Sequence, residues 1–230
     1  MDAPPEEAKI YQDEELQHIM DSIFMTMENK FQQWQVIMNV GLFFGSFNPI
    51  HNGHLVIAEY MATQTDLEEV WFVVSPHNPL KNKKSLANDY DRLAWVQDAI
   101  SDNLKLKASA IEFNLSQPSY TIVTLSVLKE KFPDKKFHLI MGGDSLISLP
   151  KWKNADILIR DYPIYVYTRP GYSTTNVEIS PNIKIFNEVP QMNISASYIT
   201  NCLRENLSIR YLVPDVVFNA ISLSTYFKNA

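Results

Sequence analysis

Cysteine and glycine are both scarce in this chain: 230 residues hold one cysteine, Cys202, and six glycines. A single thiol excludes an internal disulfide framework and suits a reducing compartment. Cys202 itself reads as a small apolar residue in a helix, with no chemical duty. Also missing is any uninterrupted apolar run near the roughly 18 residues that a membrane-spanning helix needs. The first 35 residues lack the apolar core behind a basic start that marks a secretory signal. A cytoplasmic protein with no membrane partner is therefore expected. A surplus of positive charge is absent too, and the formal net charge is −6. Residues 1–38 supply all of that excess, with eight acids against Lys9 and Lys30, and the remainder is formally neutral. Nucleic acid is excluded as a partner on that balance, since a polyanion needs a basic surface. A small phosphorylated ligand needs only a few local donors. Neither G-x-G-x-x-G nor G-x-x-x-x-G-K-[ST] occurs, which excludes those two nucleotide sites in their usual form.

Residues 1–37 form a segment apart. Behind a loose "APPEEA", Leu16, Ile19, Met20, Ile23, Phe24, Met27, Phe31 and Trp34 recur every three or four positions between polar residues. That is the period of an amphipathic helix. Its apolar stripe has two natural destinations, the main domain or another subunit, so a homo-oligomer is one expectation. Met38 then opens the first strand and could itself serve as a start residue.

From residue 38 to 230 short β-branched and aromatic runs alternate with helical patterns. Strands are expected at 38–44, 69–75, 105–113, 136–142, 164–169 and, more weakly, 183–186. Helices are expected at 54–63, 91–100, 121–132, 155–159, 197–205 and 215–227. The alternation predicts an α/β domain, Rossmann-like, with a mostly parallel sheet covered by helices on both faces and preceded by the N-terminal helical extension. Sheets of this kind bind ligands at the carboxyl ends of their strands, where strand order reverses.

The first strand ends in "GSFNPIHNGH", residues 45–54, which spends two of the six glycines and two of the five histidines in ten positions. Gly45 and Gly53 let backbone come close to a ligand. Asn52 is expected as the N-cap of the following helix. The helix start offers free N–H groups to a phosphate, and His51 and His54 add donors there. The same histidines are compatible with zinc ligation, although no third ligand lies nearby, and with a purely structural turn.

These residues resemble the G-x-F-x-P-x-H-x-G-H signature of the nucleotidyltransferase superfamily with the HxGH motif. The likeness continues across residues 38–230 through "SPHNPLK" (75–81), "SYTIVTL" (119–125), "IMGGDSLISLPKW" (140–152), "YTRPGY" (167–172), "ISASYI" (194–199) and "SIRYLVPDVV" (208–217). Those segments are similar to bacterial nicotinate-nucleotide adenylyltransferases. The resemblance implies transfer of AMP from ATP to nicotinate mononucleotide, giving deamido-NAD and pyrophosphate in NAD biosynthesis, with Mg²⁺ accompanying ATP. It places Gly45, Ser46, Phe47, His51, His54, Ser195 and Ser197 around ATP, the two histidines being the catalytic pair. It places Lys81, Tyr120, Thr121, Gly143, Asp144, Trp152 and Arg169 around the acceptor. Trp152 would stack on the pyridine ring, and Tyr120 and Thr121 would meet the nicotinate carboxylate at a helix start. Read without the family, Asp144 is equally a capping residue, Trp152 a core or surface anchor, Ser119 the cap of its helix, and "HNPLKNKK" (77–84) a solvated basic loop with Arg92 anchoring the helix behind it.

One position departs from the pattern. The family's late motif is commonly I-S-S-T-x-I-R, and here Thr200 stands in the arginine's place. Arg204, one turn on along the same helix, or a loop lysine is the expected replacement in binding ATP. Two other functions fit the residues: transfer to another acceptor, such as nicotinamide mononucleotide or phosphopantetheine, and a nucleotide-binding sensor without turnover.

Overall fold

The computed structural model describes residues 13–33, 37–76, 86–168, 180–224 and 226–227. Its internal contacts divide the chain into two units, Met1–Ile37 and Met38–Ala230. In the first, α1 runs from Asp13 to Gln33, and Gln17 donates to Asp21 one turn on, a pairing that supports an isolated helix.

The second unit is built on six strands: β1 Met38–Gly45, β2 Glu69–Val74, β3 Leu106–Ser109, β4 Lys135–Gly142, β5 Ile164–Tyr167 and β6 Ile183–Phe186. They lie in the order β3-β2-β1-β4-β5-β6, and every pairing is parallel. The chain moves outward from β1 to β3, returns, and moves outward again from β4 to β6. The switch point therefore falls between β1 and β4.

Alternation along the strands separates two cores, because successive side chains leave opposite faces of a sheet. Val40 and Leu42 of β1, Phe137, Leu139 and Met141 of β4, and Ile164 and Val166 of β5 meet α4 (Thr121–Lys131), α5 (Gly143–Ser148) and α6 (Ala155–Asp161). Phe43, Phe72, Ile140, Tyr165 and Tyr167 face the other way. They are covered by α2 (Asn52–Gln64), α3 (Asp89–Ala99), α7 (Ala196–Arg204) and α8 (Asp215–Ser222). Both faces buried is the condition a parallel sheet requires. Cys202 sits in the second of these cores as a buried free thiol.

Two local expectations shift. The run 105–113 is a strand only over Leu106–Ser109, after which the chain turns into a 3₁₀ segment, Ile111–Asn114. Helix α5, Gly143–Ser148, is an addition to the helices expected from the sequence.

At the amino end of the sheet, away from the switch point's carboxyl edge, a polar cluster runs from buried His138 to the exposed side chains of Asp66 and Lys184. His138 of β4 is 3% exposed and its Nε2 pairs with Asn39 Oδ1 at 3.1 Å. Its ring meets that of Tyr165 edge-on at 5.0 Å. The Tyr165 hydroxyl donates to Asp66 and accepts from Lys184 Nζ at 3.2 Å. Burial pushes the His138 imidazole down from its ordinary 6.5 to about 4; Asp66 opposes that, while Lys136 and Lys184 add to it. The native state thus keeps His138 neutral between pH 4 and 6.5 while the unfolded chain takes up a proton. Stability present above pH 6.5 is lost as pH falls through that window. Urea unfolding at pH 8 and pH 5 should show His138 alone costing about 2 kcal/mol over that drop. His138→Gln should lose that much less than the wild type; equal losses would remove His138 as the cause.

Candidate active site

The turn from β1 into α2 is built around an aromatic plug. Phe47 has a left-handed backbone, φ 43°, and its side chain is 2% exposed. Its ring lies edge-on to Phe43, Phe72 and His54, with centroids 5.9, 5.3 and 5.1 Å away. A Cβ on Gly45 would stand 2.8 Å from the Phe47 ring, so only glycine admits it. The side chain of Phe47 is thereby committed to the core and to supporting His54. Any ATP contact at this residue belongs to its backbone.

His51 and His54 stack face to face, ring centroids 3.6 Å apart and planes 20° from parallel. His51 is buried, and a Cβ on Gly53 would come within 3.1 Å of its Nδ1. Glycine at 53 therefore lets the imidazole lie against the helix start. The N-cap is His51, whose carbonyl accepts from His54 N at 2.9 Å and Leu55 N at 3.3 Å. Asn52, expected to cap, does different work. Its Nδ2 donates to Tyr211 O at 2.8 Å and its N–H to Leu212 O at 3.0 Å, which ties the helix start to the C-terminal segment.

Arg92 of α3 fastens this turn to the rest of the carboxyl edge. The guanidinium is wholly buried. Nη1 donates to the carbonyls of Ser46 and of Ser75, the latter at 3.0 Å, Nε to Ala87 O at 3.1 Å, and Nη2 to Asp89 at 2.7 Å. Ala87 N in turn donates to Asn48 Oδ1 at 3.0 Å. Burial draws the Arg92 pKa down and Asp89 pulls it back; guanidinium stays cationic in any case. Arg92 thus anchors the region as expected, and holds the turn after β1 and the end of β2 as well.

Beside the histidines a cavity of about 170 Å³ opens, lined by His51, Gly53, Thr168, Gln191, Asn193 and Ser195 among others. Gln191 Nε2 donates to Thr168 Oγ1 at 3.2 Å. Ser195 caps α7, its Oγ accepting from Tyr198 N at 3.1 Å, so two helix starts, those of α2 and α7, open toward one cavity. Gln191 and Asn193 carried no motif that would have singled them out, and Thr168 lies in the run 167–172 beside Arg169, the residue that the resemblance picks from it.

Toward the acceptor end, Gly143 and Asp144 form the first turn of α5, directly after β4. A 3₁₀ turn, Leu149–Lys151, leads to Trp152, which is packed on the α4 side of the sheet with Nε1 3.4 Å from Ser148 Oγ. Tyr120 is the N-cap position of α4 and Thr121 its first residue. Ser119 does not cap. Its hydroxyl donates to Glu112 Oε2 at 2.9 Å, and the Thr124 hydroxyl donates to Glu112 Oε1 at 2.8 Å. Glu112, 2% exposed, is the buried carboxylate that fixes the start of α4, and the sequence offered no sign of it. Lys153 Nζ rests 4.5 Å above the Tyr120 ring.

Lys81 and Arg169, with His77, Lys83 and Lys84, lie outside the described residues. Arg204 is in the last turn of α7, its Nη1 3.3 Å from Asn201 Oδ1. Nine residues of helix put it about 13 Å along the axis from Ser195. The cavity beside the histidines does not count it among its lining residues. The Thr200 hydroxyl folds back onto Ser197 O at 2.9 Å, and Ser197 itself is exposed.

A parallel sheet with a histidine pair at its switch point defines a nucleotide-binding α/β protein. Residues 42–201 match the cytidylyltransferase-like family. A protein of Flavobacterium johnsoniae named "Probable nicotinate-nucleotide adenylyltransferase" is 45% identical over 192 residues, 83% of this chain and 100% of its own. A protein of Cytophaga hutchinsonii with the same name is 46% identical over 192 residues, 84% of this chain and all of its own. Among solved structures, a Plasmodium falciparum nicotinic acid mononucleotide adenylyltransferase complexed with NaAD superposes with a TM-score of 0.67 at 18% identity, covering 82% of this chain and 97% of that one. The chain belongs to the cytidylyltransferase-like family and, within it, to the nicotinate-nucleotide adenylyltransferases.

Arg92→Met should remove a cation that four oxygens share. Three of those are carbonyls, and stranding them should destabilise the fold by about 3 kcal/mol in urea unfolding. Since Ser46 is five residues from His51, catalytic efficiency should fall at temperatures where the variant is still folded. An unchanged unfolding midpoint would show that the clamp is dispensable.

Proposed function

We propose that the chain transfers the adenylyl group of ATP to nicotinate mononucleotide in the cytoplasm, releasing pyrophosphate. The observation that carries this reading is the stacked His51–His54 pair at the start of α2, beside a cavity shared with the start of α7. An oxygen of the acceptor's 5′-phosphate forms a bond to the α-phosphorus as the bond to the pyrophosphate oxygen breaks. Two polyanions must be aligned and their charge met, and no side-chain nucleophile is required. The imidazoles supply N–H donors to the departing pyrophosphate, where negative charge grows in the transition state. Helix starts contribute further N–H groups and dipole.

Mg²⁺ enters with the triphosphate as part of the substrate. Among the described residues no three acids, histidines or cysteines gather as a metal cage. The donors present, imidazoles and helix-start amides, instead suit phosphate oxygens. The ion's ligands in this reading are those phosphates and water.

On the acceptor side this reading has Asp144, in the first turn after β4, accept from a ribose hydroxyl, and Trp152 stack its indole on the pyridine ring. Pyrophosphate release should be strongest with the nicotinate nucleotide when it, nicotinamide mononucleotide and phosphopantetheine are supplied in parallel with Mg-ATP. His54→Ala should lower kcat by about 10²–10³-fold. ATP binding without release for any acceptor would instead identify a nucleotide sensor.

A further inference from the structure

Helix α1 carries a face that the proposed reaction leaves unused. Leu16, Ile19, Met20, Ile23 and Phe24 are each between 46% and 66% exposed. At 3.6 residues per turn they fall within one stripe about 140° wide. Met25, also exposed, lies on the opposite side of the helix. Away from the stripe, Asp21 accepts from Gln17 at 3.1 Å. A continuous apolar stripe facing water marks an interaction surface.

The charges of α1 decide what covers it. A lipid surface attracts helices whose polar face is rich in lysine and arginine, whereas residues 1–38 carry eight acids against two lysines. A second α1 fits. Leu16, Met20 and Ile23 follow the four-three spacing of a helix-to-helix seam, and the flanking residues Gln17, Ile19, Phe24 and Thr26 carry no charge. Two acidic helices therefore meet along this seam without opposing like charges. The same spacing continues to Asp13 at one end of the helix and through Met27 to Lys30 near the other. Antiparallel copies centred between Met20 and Ile23 set position 13 of each opposite position 30 of the other, aspartate against lysine. Parallel copies set aspartate against aspartate and lysine against lysine.

We propose that α1 is a self-association surface through which two copies of this chain pair. The helices run antiparallel, Met20 of each beside the partner's Ile23, and the stripe of one copy covers the stripe of the other. Pairing removes apolar surface from water on both copies, which drives it. The antiparallel sense also sets each helix start, with its partial positive charge, beside the negative end of the other. The pairing does not depend on the proposed adenylyl transfer: its residues belong to the unit Met1–Ile37, and the histidine pair belongs to Met38–Ala230.

The test is sedimentation velocity of the full-length chain across a series of micromolar concentrations. Wild type should reach twice the mass of one chain. Ile23→Asp, at the centre of the seam, should raise the dissociation constant on the order of 30-fold. Met25→Asp, on the opposite side, should change it less than about twofold. Lys30→Glu should weaken pairing about fivefold, and Asp13→Lys together with Lys30→Glu should restore it, because only the antiparallel register brings those positions together. The urea unfolding midpoint of Ile23→Asp should match that of wild type, so that lost mass reports the interface and not the fold. Wild type that stays monomeric at every concentration would overturn the inference and give the stripe another occupant. A pair that survives Ile23→Asp, or is lost equally in Met25→Asp, would overturn it as well. Indifference to the charge exchange would overturn the antiparallel register.

Discussion

The guanidinium of Arg92 binds together pieces of chain that β1, β2 and α3 deliver separately. Ser46 closes the first strand, Ser75 the second, and Ala87 and Asp89 open the helix that carries the arginine. Burying a cation this completely is costly unless every N–H finds an acceptor of suitable direction. Three carbonyls and one carboxylate take four of its five N–H groups, in the planar fork that only arginine offers. The histidine turn then has no freedom to drift. Asn48 latches it to the segment before α3, Phe47 plugs it from beneath, and Asn52 ties the far side to Leu212. The stacked imidazoles are rigid because the backbone beneath them is fastened at three points.

In the proposed reaction that rigidity is what lets imidazoles and helix starts act on phosphates. Outside residues 1–38 acids and bases balance, and the described part of the phosphate end is made of imidazoles and helix starts. Dipoles and neutral donors are effective only when fixed in direction, since they gain little from mere proximity. A loose loop of lysines would attract any polyanion. A fixed set of N–H groups selects a small ligand of one shape.

Much of the sheet was legible because its strands are β-branched runs separated by helical periods, and the switch point followed from parallel topology. What escaped did so for physical reasons. Residues 110–113 look like strand by composition, yet Glu112 turns inward to the hydroxyls of Ser119 and Thr124, and that tertiary demand overrides local propensity. Asn52 has the residue type of a cap, but a carbonyl 159 positions away claimed its side chain. Arg92 read as an anchor for its own helix; its partners 17 and 46 residues upstream leave no trace in local pattern. The histidines were singled out by their crowding with glycine at the end of the first strand, and Trp152 through a resemblance.

Where the resembling family carries an arginine, Thr200 brings no permanent charge to the proposed site. The hydroxyl is spent on Ser197 O, and Ile199 and Cys202 are turned into the core, so what the start of α7 offers a ligand in the proposed reaction is Ser195 and its first amides. An arginine there would bind the triphosphate before and after transfer with similar strength. Interactions that are uniform along the reaction set how tightly ATP and pyrophosphate are held, while those that strengthen as charge shifts set the rate. In the proposed reaction the second kind belongs to His51 and His54, which are intact and tightly positioned. The substitution therefore falls on affinity for nucleotide and on product release, and the chemistry at the α-phosphorus remains with the stacked pair.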